Sequence, residues 1–305
     1  MDRFYSYKNY LIDRYQEKTY KLPIQIPVTC PNRDGSIGVK GCYFCSDQGT
    51  GFESLDKMTP ISDQLAASKE KVAKRYKAKK FIGYFQNYTN TYLPINTLID
   101  YLKEAAEFEL VGIDIATRPD SIPDGYLEEI AKFSKENNID ITFEIGLQIA
   151  NDRILEEINR GHDVDAFVQS VLKIKSFGFA VCTHLIINLP ESTMEDVVTT
   201  VELMNELDVD IVKLHSLYIA KDSVFGEMYI NDELSLCSYE EYVERVVSFI
   251  CKLKPTIALS RLVSRIPEED GLFSNWGCSW WKIYNDIINQ LEEKSLYQGI
   301  DYEHK

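Results

Sequence analysis

Apolar residues along this chain fall into two alternating patterns, short continuous runs and longer stretches at helical spacing. The continuous runs cover residues 24–29, 80–86, 111–117, 141–148, 180–189, 210–219 and 256–263. They are rich in β-branched and aromatic residues and mostly unbroken by polar ones, which predicts strands buried on both faces of a parallel sheet. The stretches between them read as helices. Ser192-Thr193-Met194-Glu195 is a predicted capping box, followed by Val197, Val198, Val201 and Met204 on one face. Ser238-Tyr239-Glu240-Glu241 opens another helix, carrying Tyr242, Val243, Val246, Val247 and Ile250. Gly161 and Gly178 stand where helices beginning near Asn151 and Asp165 should stop.

From the second run to the sixth, starts lie about thirty to forty residues apart, the size of a βαβ unit. Six or seven such units predict an α/β fold, a partial or complete TIM-like (βα) barrel, with chemistry at the C-terminal ends of the strands. An open doubly wound sheet is the alternative, but no G-x-G-x-x-G follows the first run. After Ala220 a polar stretch over 221–236 breaks the rhythm. The expected division is therefore an N-terminal segment 1–21, a core 22–220 with a cysteine loop at 29–51, and a C-terminal extension 221–305 packed on the barrel.

Composition changes this picture only at the cysteines and the charge. The start of the chain lacks the basic and apolar runs of a signal peptide, and no apolar stretch reaches membrane-spanning length, so a cytoplasmic protein without a membrane partner is expected. In that setting the seven cysteines read as reduced thiols, either buried apolar groups or metal ligands. Cys182, Cys237 and Cys251 fit the first role. Cys278, beside Trp276 and Trp280, fits either.

Cys30, Cys42 and Cys45 fit the second role. They share one glycine-rich loop, Cys30-Pro31-Asn32-Arg33-Asp34-Gly35-Ser36-Ile37-Gly38-Val39-Lys40-Gly41-Cys42-Tyr43-Phe44-Cys45, directly after the first predicted strand. Three is the informative count. A structural zinc or an electron-transfer cluster is closed by four protein ligands, whereas three leave a metal position open for substrate or cofactor. No fourth Cys or His lies nearby in sequence; Cys182 or His184 could supply one only through the fold. A zinc-containing barrel-shaped binding protein is the reading from another class.

Cys-x11-Cys-x2-Cys with an aromatic before the last cysteine resembles a widened form of the radical S-adenosylmethionine (SAM) signature. The loop as a whole resembles the YhcC/YtqA-type radical SAM family, relatives of the catalytic domain of the Elongator subunit Elp3. Further matches follow in order: Tyr84-Phe85-Gln86, Thr89-Asn90-Thr91-Tyr92, Thr117-Arg118-Pro119-Asp120, Glu144-Ile145-Gly146-Leu147-Gln148, Asn159-Arg160-Gly161-His162-Asp163, Lys213-Leu214-His215 and Arg261-Leu262. One departure is Asn188-Leu189-Pro190-Glu191-Ser192, where Gly-Leu-Pro-Gly-Glu is expected, which puts in doubt a close approach of SAM to the backbone at Asn188.

The resemblance implies a [4Fe–4S] cluster on Cys30, Cys42 and Cys45, SAM on the open iron, and a 5′-deoxyadenosyl radical formed by reductive cleavage, with flavodoxin or ferredoxin as reductant. Candidate SAM contacts are Tyr43, Phe44, Gln86, Arg118, Glu144 and Gln148. Each has a structural alternative. Tyr43 and Phe44 either face the cofactor or fill the loop, and Gln86 either holds the methionine amine or caps a strand. Glu144 and Gln148, four apart on a strand, share a face, and Glu144 needs a partner such as ribose hydroxyls or Arg118. Arg118 alternatively clamps a carboxylate of SAM or substrate. His162 is expected to stabilise a helix end, and His184 and His215 to be satisfied core histidines.

A formal net charge of −15 disfavours nonspecific binding of polyanions and favours a small-molecule or peptide substrate. Against that stands a basic run, Lys69, Lys71, Lys74, Arg75, Lys77, Lys79 and Lys80, which is either a solvated helix face or an RNA contact. Arg3, Tyr5, Tyr7, Lys8, Tyr10, Arg14 and Tyr15 interleave rings and cations in a way that suits single-stranded bases. The family resemblance implies tRNA, with conversion of a carboxymethylaminomethyl to an aminomethyl group on the wobble uridine.

Overall fold

The computed structural model of the chain describes residues 2–46, 49 and 54–303. Residues 47, 48, 50 and 51 of the predicted cysteine loop lie outside the described residues. In chain order the strands are β1 (Thr19–Ile24), β2 (Lys80–Phe85), β3 (Gly112–Thr117), β4 (Asp140–Gln148), β5 (Ala180–Ile186), β6 (Ile211–His215), β7 (Ile219–Ala220), β8 (Ala258–Arg261) and β9 (Gly271–Phe273). The α-helices are α1 (Tyr7–Tyr15), α2 (Ile61–Tyr76), α3 (Ile95–Ala106), α4 (Tyr126–Asn137), α5 (Asp152–Glu157), α6 (Val164–Ser176), α7 (Met194–Glu206), α8 (Val224–Ile230), α9 (Tyr239–Lys252) and α10 (Trp280–Glu293).

Strands β1 to β6 and then β8 form one sheet in that order, every pair parallel. β7 and β9 pair separately and antiparallel. The large sheet is curled. Lys213 Nζ on β6 lies 3.2 Å from the Tyr84 hydroxyl on β2, although a flat sheet would hold strands four places apart at roughly 19 Å. Curling brings one face of every strand into a common lumen and leaves the other to the helices. Ile113, Ile115, Phe143, Val181, Val212 and Leu214 join the apolar core shared with the helices, while Asp114, Glu144, His184 and Lys213 alternate with them. The predicted barrel is thus a half-barrel, and the open doubly wound sheet is ruled out.

The gap between the edge strands β1 and β8 is partly filled by the N-terminal segment. Tyr5 C=O accepts from Leu259 N–H at 2.9 Å, Ser6 bridges Leu259, and α1 packs on both β1 and β8. Tyr5, Tyr7 and Tyr10 pack on Cys182, Ile211 and Ala258 at the barrel floor. These rings therefore serve a second small core, not the open stacking platform their spacing suggested.

Three sequence expectations shift. The first strand begins at Thr19 rather than 24, because Lys21 and Pro23 mask it; the edge position tolerates a proline with no N–H to donate. The cap of α7 is Thr193 with Asp196 in a reciprocal box, one residue later than read. Ser192 instead donates to Leu189 C=O at 2.6 Å and accepts from Arg245 at 2.7 Å. Residues after 221 pack α9 against α7 and α10 against α9, and they also supply β8 to the sheet.

Candidate functional site

The cysteine loop leaves the C-terminal end of β1 and is fastened to the turn after α5. Tyr43 N–H donates to Ile158 C=O at 3.0 Å, Asn32 Nδ2 to Asn159 C=O at 2.6 Å, and Asn159 Nδ2 to Gly41 C=O at 2.7 Å. Two donors address one thiol: Arg160 Nη1 lies 3.3 Å and Asn32 Nδ2 3.7 Å from Cys42 Sγ. Arg160 Nη2 also holds Gly146 C=O at 2.6 Å, tying the loop to the end of β4. Arg33 braces the other end, donating to Cys45 C=O at 3.0 Å. Burial, then Cys42, pushes the Cys45 thiol up to about 11. All three thiols are free.

Two N–H donors aimed at one sulfur suit an inorganic core whose charge needs hydrogen bonding. The loops beyond β2 and β3 add orphaned polar atoms. Asn87 Nδ2 and Oδ1, Thr89 Oγ1 and Arg118 Nη1 are buried with no partner among the described residues. Arg118 spends Nε and Nη2 on Asp120, at 2.8 and 2.7 Å, which leaves Nη1 for an anionic group. The residues fit an iron–sulfur cluster with a polar, carboxylate-bearing cofactor beside it.

Glu144 sits deeper, at 1% exposure in the lumen. Its partners are Lys21, Lys213 at 3.0 Å and His184 Nε2 at 2.5 Å, not the predicted Arg118. Lys21 also pairs with Asp114 at 2.5 Å. Burial opposes the charge on Glu144, but Lys21, Lys213 and His184 outweigh it and hold the carboxyl well below its ordinary range. Burial pushes Asp114 up despite Lys21, and pushes Lys213 down despite Glu144. His184 falls to about 4 through burial and Lys213, so it is neutral near pH 7 and donates to Glu144. Glu144, Cys182 and His184 bring ligand atoms within 4.8 Å of one another, yet two lysines already neutralise that carboxylate, which argues against a metal ion there.

The predicted contacts disperse around this network. Phe44 and Gln148 line a small cavity of about 80 Å³ with His184, His215 and Tyr218. His184 and His215 stack there, with centroids 5.2 Å apart, so they face a cavity instead of filling the core. Gln86 donates to Ser54 and lines a different, larger cleft. Tyr43 packs edge-on against Phe225. His162 precedes the N-terminus of α6, and burial with Arg160 lowers it to about 3, so it brings no charge to a helix end. Lys21, Asp114, Lys213 and Arg160 were not anticipated. Their signal was a charge inside an apolar strand run, or a cation within a recognised motif.

Residues 26–204 match the Radical SAM superfamily and residues 209–293 the Radical_SAM C-terminal domain. The chain belongs to the radical SAM superfamily. Radical SAM proteins carry a [4Fe–4S] cluster and SAM, and these are its cofactors. YtqA of Bacillus subtilis is 30% identical over 298 residues, 97% of this chain and 92% of that protein. A tRNA uridine(34) acetyltransferase of Methanocaldococcus jannaschii is 28% identical over 170 residues, 54% of this chain but 30% of that protein. Among solved structures, the archaeal Methanocaldococcus infernus Elp3 superposes with a TM-score of 0.66 at 18% identity, covering 92% of this chain and 64% of that one. The YhcC/YtqA-type likeness read from the motifs is borne out, as is the radical SAM half-barrel. No helix among the described residues is long and apolar enough to cross a membrane.

Proposed function

We propose that this radical SAM enzyme acts in the cytoplasm on the wobble uridine of tRNA, converting a carboxymethylaminomethyl group to aminomethyl. The observation that carries the cofactor assignment is the doubly hydrogen-bonded Cys42 in a loop of three free thiols, with Cys30, Cys42 and Cys45 as cluster ligands. The substrate rests on likeness to a tRNA uridine(34) acetyltransferase over half of this chain. When bound, the cluster and SAM supply the 5′-deoxyadenosyl radical that removes one hydrogen atom and an acceptor for the electron left behind.

The glycine-like methylene of the substituent is the site that such chemistry favours, because both the amine and the carboxylate stabilise a carbon radical. Loss of the electron gives an iminium, and water splits it into the free amine and glyoxylate with release of a proton. Protein groups supply placement and dryness. Arg118 Nη1 is suited to a carboxylate, and Asn87 and Thr89 to the polar parts of SAM. Gln86, Gln148, Phe44 and Tyr43 complete the candidate set around the strand ends, and Glu144 acts on it through His184. Lys71 and Lys77 are exposed members of the basic run and contact RNA with Arg75. Lys69, Lys74, Lys79 and Lys80 are drawn into contacts with Phe81, Glu70, Glu17 and Tyr15 within the chain. A flavodoxin or ferredoxin serves as the reductant.

The test has two parts. Anaerobic reconstitution with dithionite and SAM should yield 5′-deoxyadenosine, and Cys30→Ala, Cys42→Ala and Cys45→Ala should each lose it along with iron, while Cys237→Ala keeps both. Mass spectrometry of tRNA from a deletion strain should show carboxymethylaminomethyluridine accumulating at the wobble position. Unchanged wobble uridines would reject the substrate.

A further inference from the structure

Among the described residues, α1 fills the gap between β1 and β8 at its floor. Above it lies a cleft of about 680 Å³, large enough for a nucleotide, running from Leu11 and Ile12 to Gln86 and Leu262 at the strand ends. Its lining is electrostatically one-sided. Lys8, Lys18, Lys21, Lys213 and Arg261 line it, and no Asp or Glu does among the described residues. Lys21 and Lys213 are matched by Asp114 and Glu144 behind them. Lys8, Lys18 and Arg261 are exposed and held in no ion pair among the described residues. Among the described residues, a chain of net charge −15 thus keeps a positively lined cleft, and low-dielectric walls focus such a field onto an anion.

The same walls are aromatic. Tyr20, Tyr76 and Tyr84 line the cleft, with Tyr20 and Tyr76 stacked at 4.6 Å between centroids. Rings beside cations form the arrangement that receives an unstacked base and its phosphates. Arg75 lies over the Tyr76 ring at 5.2 Å, so the cleft rim continues into the basic end of α2.

We propose that the cleft between β1 and β8 seats a single extruded RNA nucleotide, its phosphates on Lys8, Lys18 and Arg261, its base among the tyrosines, and its substituent toward Lys213. This assignment rests on the RNA reading above. It is tested by fluorescence anisotropy of a labelled anticodon stem–loop RNA with the full-length protein across a salt series. Lys18→Gln with Arg261→Gln, both at exposed positions, should weaken binding about tenfold at low salt and flatten the slope of log affinity against log salt by about 2. Lys135→Gln on α4 should bind as wild type does. If the RNA binds but the double variant keeps wild-type affinity and slope, the cleft assignment is overturned and the RNA reading stands. Inorganic polyphosphate competing as well as the RNA would overturn the nucleotide assignment, leaving a polyanion site. Wild-type protein that binds no RNA would reject the substrate reading and the cleft with it.

Discussion

Arg160 forks between Cys42 and Gly146, donating to the thiol sulfur at 3.3 Å and to the carbonyl at 2.6 Å. One side chain thereby fixes a cysteine to the end of β4 and places a positive charge beside it. A donor and a cation at sulfur favour the more reduced, more negative state of a cluster. Arg160→Met should therefore shift the midpoint potential of the reconstituted cluster negative, on the order of tens of millivolts. A redox titration followed by electron paramagnetic resonance reads this directly, and an unchanged potential would show that the fork only positions the loop.

The lumen network predicts a stability effect of a different size. Glu144, itself buried, neutralises Lys21 and Lys213. Breaking one side of such a network leaves charge buried without a counter-charge, at a cost of about 3–5 kcal/mol. Glu144→Gln should lower the unfolding free energy by about that much in urea at neutral pH. Adding Lys213→Met should return part of it, because the surplus cation goes too. A double variant no more stable than Glu144→Gln alone would mean the two groups act independently.

These two residues also show what the sequence exposes and what it hides. The barrel was legible because each strand must bury an outer face against helices, which writes apolar runs such as 111–117 and 141–148 into the chain. The cysteine loop was legible because three thiols on glycine-rich backbone have few other uses. Partnerships across the lumen were not. Asp114, Glu144 and Lys213 each look like a lone charge inside an apolar strand, and only the curl of the sheet decides which one meets which. Arg118, one of the two partners the sequence offered Glu144, pairs instead with Asp120 two residues away, while Glu144 is taken by lysines. The first strand was misplaced because Lys21 points into the lumen and Pro23 sits on an edge.

Acid should loosen the barrel, and His184 gives the sign. Its folded value is depressed to about 4 from an ordinary 6.5, so the unfolded chain binds the proton first. Stability then rises with pH, and the contribution fully present above about 6.5 is lost as pH falls toward 4. At pH 5 the loss from this one group is about 2 kcal/mol. His162, lowered to about 3, acts in the same direction. Urea midpoints between pH 7 and pH 5 should fall for the wild type and fall less for His184→Gln. Equal slopes for the two proteins would show that His184 takes up its proton as readily in the folded state.

Gly146 offers the sharpest separation of the cysteine loop from the lumen. A methyl group there would stand 2.5 Å from Gln148 Nε2 and 2.8 Å from Arg160 Nη2. Both are ends of long side chains, which ordinarily give way cheaply. Arg160 cannot, because it is buried and held at Cys42 and at the Gly146 carbonyl together. Gly146→Ala should therefore cost about 1–3 kcal/mol as an overpacked site, and release the loop from β4. Glu144 and its lysines lie one turn of the pleat away and keep their contacts, so the acid sensitivity of the fold should be preserved. Iron release to a chelator, followed anaerobically after reconstitution, should be several-fold faster than in wild type. Retention at the wild-type rate would mean that the cysteine loop is held by Tyr43, Asn32 and Asn159, and that the arginine fork contributes nothing to its grip.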